Sequence, residues 1–134
     1  MKNAKANIAL GGEYSGQSKI KFNSIESGKA EGIFVVEGGE DLLIQTNIIQ
    51  KNAQHGIVLL HSDGIIQSNN IVQNEKCGLF LLSDTKAKIE NNTIEENRQC
   101  GIDIRDPSCP DLKRNKIEKN VFQIKVEQKA RKLV

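Results

Sequence analysis

The sequence predicts an all-β solenoid of about five coils, in which each coil contains 22–24 residues. Two observations predict this class: a template of fixed positions recurs at one period, and short apolar alternations are separated by Asn, Gly, Ser and Asp. The composition agrees, because the chain contains 13 Asn and 17 Ile but only 4% aromatic residues. Such a bias is expected when the same residue types return in every coil.

The repeat is visible when the chain is aligned on its Gly-Ile and Gly-Leu pairs. These pairs are Gly32-Ile33, Gly56-Ile57, Gly78-Leu79 and Gly101-Ile102. Nine residues before each glycine stands an asparagine, and a fifth copy adds Asn115; the column is Asn23, Asn47, Asn69, Asn92 and Asn115. Its members are 24, 22, 23 and 23 residues apart. Like residues in register predict parallel strands stacked coil on coil, about 4.8 Å apart.

This asparagine column is predicted to form a structural ladder inside the turns. An inward asparagine satisfies backbone groups of its own coil and bonds the amides above and below it. The template glycines are expected to supply backbone conformations that other residues resist.

The template Asn-x-Ile-x-x-Asn-x-x-x-Gly-Ile resembles the right-handed parallel β-helix repeat of pectate-lyase-like proteins. It is also similar to the β-helix region of F-box substrate-receptor proteins. The resemblance covers residues 20–126 and implies a right-handed parallel β-helix. It does not imply one function, because enzymes and non-enzymatic scaffolds share this fold.

Three segments are predicted along the chain. Residues 1–19 are interpreted as a degenerate N-terminal coil, in which Ile8 and Leu10 occupy the position of the Ile-x-Leu strand. Residues 20–126 are the β-helix repeats, and residues 127–134 are a basic C-terminal tail. The tail is interpreted as a charged edge that blocks strand-to-strand aggregation, and attraction of an acidic partner is the alternative.

The composition also predicts a location. No apolar run reaches the roughly 18 residues that a membrane span requires, and Met1–Lys5 lead into no hydrophobic segment. Three cysteines, an odd number, argue against a disulfide framework. We therefore expect an intracellular, cytoplasmic protein with no membrane contact.

Two columns of polar residues are candidate chemical sites. Carboxylates follow the glycine strand in three coils, at Asp63, Asp84 and Asp106, where β-helix enzymes assemble acid–base pairs or calcium sites. Their turn contexts and unequal offsets favour a structural role. The column before the glycine contains Glu31, His55, Cys77 and Cys100, and it is interpreted as unpaired thiols rather than a metal site. No metal and no cofactor is predicted.

The third candidate is an apolar outer face. If Ile33, Ile57 and Leu79 point inward, their neighbours in the strand point outward. Those neighbours are Phe34, Val36, Val58, Leu60, Phe80 and Leu82, here called the apolar stripe. Such a patch is typical of a partner surface.

The predicted function is a non-catalytic scaffold that binds a protein partner, or a larger assembly, through the apolar stripe; self-association is also open. Nucleic acid is not expected, because the Phe residues lack basic interleaving. The alternative is a carbohydrate-active enzyme or polysaccharide-binding β-helix that uses Asp63, Asp84 and Asp106.

Overall fold

The computed structural model describes residues 7–11 and 18–127, which form sixteen short strands and no helix. In chain order the strands are β1 (Ile8–Gly11), β2 (Lys19–Lys21), β3 (Ser24–Glu26), β4 (Ile33–Val36), β5 (Leu43–Gln45), β6 (Ile48–Gln50), β7 (Ile57–Leu60), β8 (Ile65–Gln67), β9 (Asn70–Val72), β10 (Cys77–Leu82), β11 (Lys88–Glu90), β12 (Thr93–Glu95), β13 (Cys100–Ile104), β14 (Asp111–Lys113), β15 (Lys116–Glu118) and β16 (Phe122–Val126). Among the same residues, none belongs to a helix long and apolar enough to cross a membrane.

The strands form three parallel sheets, which are the three sides of the β-helix, and each complete coil contributes one strand to each sheet. The first sheet has the order β1-β4-β7-β10-β13-β16, the second β14-β11-β8-β5-β2, and the third β15-β12-β9-β6-β3. Each strand pairs with its equivalent one coil away, so that Ile33 lies beside Ile57 and Ile57 beside Leu79. The predicted right-handed parallel β-helix of about five coils is confirmed.

The core is a stack of aliphatic side chains from all three sheets. Alternation along each strand turns one residue inward, and the inward residues of neighbouring coils stack on each other. Ile57, Ile66 and Ile71 represent the three sheets within one coil, and each is 0% exposed. Full burial of one such side chain stabilises the fold by roughly 1.5–3 kcal/mol.

Two sharp corners flank the third sheet, and each uses a non-glycine residue in the left-handed conformation. One corner contains Phe22, Thr46, Ser68, Asn91 and Arg114, with φ between 53° and 58°; the other contains Ser27, Lys51, Gln73, Glu96 and Lys119, with φ between 56° and 61°. This conformation costs an L-residue about 1–2 kcal/mol. In most coils an asparagine follows directly, and its hydrogen bonds hold the corner.

Asn69 shows how the first asparagine ladder works. Its Nδ2 donates to Asn92 Oδ1 at 3.0 Å and to Ile44 O at 3.0 Å. Its Oδ1 accepts from Asn47 N at 2.9 Å and from Asn47 Nδ2 at 3.0 Å. The amide chain continues outward in both directions, from Asn23 to Asn47 and from Asn92 to Asn115.

Two further ladders run parallel to the first. The second contains asparagines at the next corner, Asn52, Asn74, Asn97 and Asn120. The third consists of hydroxyl groups after the first sheet: Ser62 N donates to Thr85 Oγ1 at 3.2 Å, and Thr85 N donates to Ser108 Oγ at 2.9 Å. Every corner of the coil is therefore tied to the coil beside it.

The template glycines have a different role from the predicted one. Among the described glycines only Gly64 has a left-handed φ, of 109°. A β carbon on Gly56 would instead lie 2.7 Å from Gly78 O and 2.7 Å from Ile71 Cγ2. Adjacent coils approach so closely at this column that no side chain fits, so the glycines are needed for space rather than for conformation.

The two ends of the predicted domain map are only partly described. Ile8 and Leu10 of the predicted N-terminal coil lie in β1, beside Ile33 and Val35. At the other end β16 pairs with β13, and all its residues are exposed. The basic tail predicted at 127–134 lies outside the described residues except for Glu127.

Candidate functional site

The apolar stripe lies on the outside of the first sheet. Phe34, Val58 and Phe80 stack in register, and so do Val36, Leu60 and Leu82. Val58 is 4% exposed and the others are half-buried. Contact of this stripe with another molecule stays a prediction.

Polar residues cover one end of the stripe. The His55 ring stacks on the Phe80 ring, with centroids 4.5 Å apart and planes inclined by 10°. Arg105 lies over the same ring, with Cζ 5.3 Å from its centroid. Arg105 also donates two hydrogen bonds to Asp103, from Nε to Oδ1 at 3.0 Å and from Nη2 to Oδ2 at 3.1 Å. Asp103 is 5% exposed, and its buried carboxylate is paired with this guanidinium.

His55 is held as a neutral imidazole. Its Nδ1 accepts a hydrogen bond from Cys77 N at 3.1 Å, which leaves the ring proton on Nε2. Burial, and secondarily the positive charge of Lys76, lowers the pKa of His55 from 6.5 to about 4. At neutral pH the site therefore contains a neutral His55 ring whose Nδ1 already accepts a hydrogen bond.

Cys77 and Cys100 form a disulfide beside this cluster. They are register partners in β10 and β13, with Cα atoms 4.4 Å apart. The predicted unpaired thiols at these positions are wrong, because identical template positions in neighbouring coils bring the two sulfurs together. Cys109 is the free, exposed cysteine that makes the total odd. The recurring position before the template glycine, rather than the cysteine count, was the signal for this pair.

The same place contains a group of potential metal ligands. Both cysteine sulfurs and a carboxylate oxygen of Asp103 lie within 4.8 Å of one another, and all three residues are buried. The remaining members of that column, Glu31 and His55, do not belong to this group of ligand atoms.

The three turn carboxylates do not stack as one column. The hydroxyl ladder sets the register at this corner, where Ser62 lies opposite Thr85. Asp63 follows this ladder, whereas Asp84 and Asp106 precede it, on the side of the first sheet. Asp106 is exposed, and its N–H donates to Glu127 Oε2 at 3.1 Å.

Asp63 instead lines a groove between the first and second sheets, here called the corner groove. The groove has a volume of about 500 Å³, and its lining comes from three successive coils: Glu40, Asp41, Asp63, Gly64, Ile65, Lys86 and Lys88. Asp84 reaches it only through an ion pair with Lys86, at 3.9 Å. Both partners of this pair are largely exposed, so the pair is weak and leaves the Lys86 ammonium available. The lysines were not predicted, because the register neighbours of Lys88 are Ile65 and Asp111, so lysine does not recur in the adjacent coils.

Fold and sites together define a parallel β-helix protein with one internal disulfide and a polar groove along one corner. The chain belongs to the NosD family: residues 1–132 match the family described as "Periplasmic copper-binding protein (NosD)". No curated protein sequence matches it.

A solved structure supports the fold. The chain is similar to a double mutant of the periplasmic alginate epimerase AlgG, with a TM-score of 0.74 and 23% sequence identity. The match covers 93% of this chain but 32% of the epimerase chain. The neighbour is an enzyme, and at this identity the likeness shows the fold alone.

Two predictions made from the sequence are wrong. The cytoplasmic location is contradicted by a family described as periplasmic. The predicted cytoplasmic scaffold function is contradicted by the family description, which names a periplasmic copper-binding protein. The error came from the odd cysteine count, since the disulfide between Cys77 and Cys100 is of the kind that persists in oxidising compartments.

Proposed function

We propose that this chain is a periplasmic β-helix that binds acidic polysaccharide in the corner groove. The carrying observation is that a single groove of about 500 Å³ combines carboxylates and ammonium groups from three successive coils. A periplasmic location is supported by the family description and by the disulfide.

The lysine side of the groove suits a sugar acid polymer, because the carboxylates Glu40, Asp41 and Asp63 come from the other two coils. The ammonium groups of Lys86 and Lys88 pair with carboxylates of the ligand, and Asp63 accepts hydrogen bonds from its hydroxyls. Ile65 offers an apolar surface to the C–H face of a sugar ring. Three coils span about 10 Å along the helix axis, so an extended oligosaccharide that lies along the groove contacts all three coils.

The groove is also preformed, which lowers the entropic cost of binding. Thr85 Oγ1 donates to Leu59 O at 3.1 Å, and Lys88 N donates to Gly64 O at 2.9 Å. Gly64 lies in the groove lining with φ 109°, and a β carbon there would be 2.8 Å from Leu42 O. Close backbone contacts between the coils therefore fix this part of the groove lining.

Calorimetric titration with oligosaccharides of uronic acids tests the proposal, with neutral oligosaccharides of equal length as the comparison. Lys86→Glu/Lys88→Glu should weaken binding of the acidic ligand at least about tenfold, because two attractive charges become repulsive. Lys29→Glu, an exposed lysine outside the groove lining, makes one of the same charge changes and should retain binding. Absence of binding, or equal binding by the groove double mutant, would overturn the proposal.

A second candidate function is copper binding, which is what the family description names. The supporting observation is the group of ligand atoms from Cys77, Cys100 and Asp103 within 4.8 Å. Sulfur is a soft ligand that suits Cu(I), but metal binding requires the thiolate form. Because the two sulfurs are bonded to each other, the donor set fits copper only after the disulfide has opened.

A further inference from the structure

We propose that thiol–disulfide exchange at Cys77 and Cys100 controls copper binding, so that the disulfide form excludes Cu(I) and the dithiol form binds it. This inference rests on the copper-binding proposal and adds the regulation of that site. It is independent of the corner groove, whose lining contains neither cysteine.

The register of the two cysteines supports two exclusive states. Both side chains leave neighbouring strands at equivalent positions, with Cα atoms 4.4 Å apart. Strands of one sheet lie about 4.8 Å apart. Two metal–thiolate bonds of about 2.3 Å each, as for zinc, place the sulfurs up to about 4.6 Å apart. The same backbone therefore suits a direct sulfur–sulfur bond and a metal bridge between the sulfurs.

The surroundings favour a soft cation held by sulfur alone. Asp103 lies near both sulfurs, but its two oxygens already accept hydrogen bonds from Arg105. A carboxylate is a hard ligand, which Cu(I) does not prefer. Two thiolates and one Cu(I) carry a net charge of −1, and Lys76 is a nearby cation, since its charge acts on His55, which accepts a hydrogen bond from Cys77 N. Asp103 is thus assigned to fixing Arg105 rather than to binding the metal.

Reduction of the disulfide requires local opening of a strand that covers it. Cys77 is 2% exposed and Cys100 is 0% exposed, so the closed structure protects both sulfurs. Phe122 lies beside Cys100 in β16, and it is 57% exposed. Because β16 buries none of its residues in the described part of the chain, its local opening is a low-cost route to Cys100.

Reduction of the disulfide consumes one dithiol reductant and requires no oxidant. One thiolate of a dithiol reductant attacks one sulfur, which forms a mixed disulfide and releases the other cysteine as a thiolate. The second thiol of the reductant then displaces the remaining cysteine, so the reductant becomes a cyclic disulfide and the protein a dithiol. Binding of Cu(I) afterwards replaces the two thiol protons, which are released to solvent.

The test compares oxidised and dithiol-reduced protein, both carrying Cys109→Ser so that the exposed thiol cannot bind metal. Each is mixed with Cu(I) under anaerobic conditions and passed through a desalting column, and bound copper is measured by mass spectrometry. We expect about one equivalent on the reduced protein and at least tenfold less on the oxidised protein. Thiol titration should lose two reactive groups when copper binds.

Matched variants separate the possible outcomes. Cys77→Ser/Cys100→Ser in the same background should bind at least tenfold less copper than the reduced protein, and circular dichroism checks that both keep their β structure. Equal copper on oxidised and reduced protein, or on the serine variant, would overturn the regulation while leaving copper binding in place. Copper on neither form would overturn copper binding itself and the regulation with it. If reduction abolishes the β structure, the disulfide is a structural bond and the inference is also overturned.

Discussion

The side-chain amide of Asn7 donates a hydrogen bond to Asn52 Oδ1 at 3.2 Å, across 45 residues of chain. Between them lies Gly28, at the template position that Asn52, Asn74 and Asn97 occupy in later coils. A β carbon on Gly28 would be 2.8 Å from Asn7 Nδ2, so Asn7 occupies the space of the missing asparagine. The second ladder is thereby completed at its N-terminal end by a residue from outside the repeat.

This relationship predicts that Asn7 and position 28 are energetically coupled. Asn7→Ala should lower the free energy of unfolding by about 1 kcal/mol, because Asn52 Oδ1 keeps only the Gly28 N–H as donor at 3.1 Å. Gly28→Asn should restore stability in the Asn7→Ala background and help less in the wild type, where the two amides compete for one space. Urea unfolding of the four proteins measures the coupling, and additive effects would contradict the assigned contact.

The first ladder predicts a strong dependence on position. Asn69→Ala removes a side chain that makes four hydrogen bonds and is 1% exposed, so about 3 kcal/mol of stability should be lost. Asn23→Ala is the matched control at the exposed end of the ladder, and it should cost less than about 1 kcal/mol. Equal losses in chemical unfolding would show that the ladder contributes no cooperative stability.

The ladders and strands are predictable from the sequence because each is set by the same residue in every coil. Asn69 must face Asn47 and Asn92 once the period is known. The left-handed corner residues are harder to predict from the sequence, since Thr46, Ser68 and Asn91 share a conformation but no side-chain type. Their conformation is imposed by the strands and ladders on either side rather than by local preference.

The sites are less predictable than the fold because they depend on how coils differ. The corner groove combines Asp63 with Lys86, which is the residue that register places one coil away. The disulfide was within reach of the sequence, since Cys77 and Cys100 both precede a template glycine. The odd number of cysteines argued against a disulfide, whereas alignment of the coils places Cys77 and Cys100 at the same template position.

The glycine column predicts a steric rather than a conformational penalty. Gly56→Ala places a β carbon 2.7 Å from Gly78 O, which is backbone and cannot rotate away, so about 3 kcal/mol should be lost. Gly11→Ala is the control, because its nearest atom, Val36 Cβ, is 4.0 Å away. Thermal unfolding of both variants checks the difference. Comparable melting temperatures for the two variants would mean that the coils can separate at this column.

The buried imidazole predicts a pH-dependent stability in the disulfide-linked protein without metal. The pKa of His55 is about 4 in the folded chain and 6.5 when its surroundings do not perturb it, so the unfolded chain binds this proton more readily between these two pH values. Its contribution is therefore complete above pH 6.5 and is lost as the pH falls towards about 4. At about 1.4 kcal/mol per pKa unit the loss is at most about 3.5 kcal/mol, and it is smaller because solvent screens the partly exposed ring.

His55→Gln separates this effect from general acid denaturation. Glutamine retains an acceptor for Cys77 N but does not titrate, so the fall in unfolding free energy between pH 6.5 and about 4 should become shallower. His61→Gln is the matched control, because it makes the same substitution at an exposed histidine. Urea unfolding at a series of pH values measures both slopes. A slope for His55→Gln that equals the wild-type slope would show that protonation of His55 does not oppose folding, and the stacked ring on Phe80 would then have to accommodate a charge.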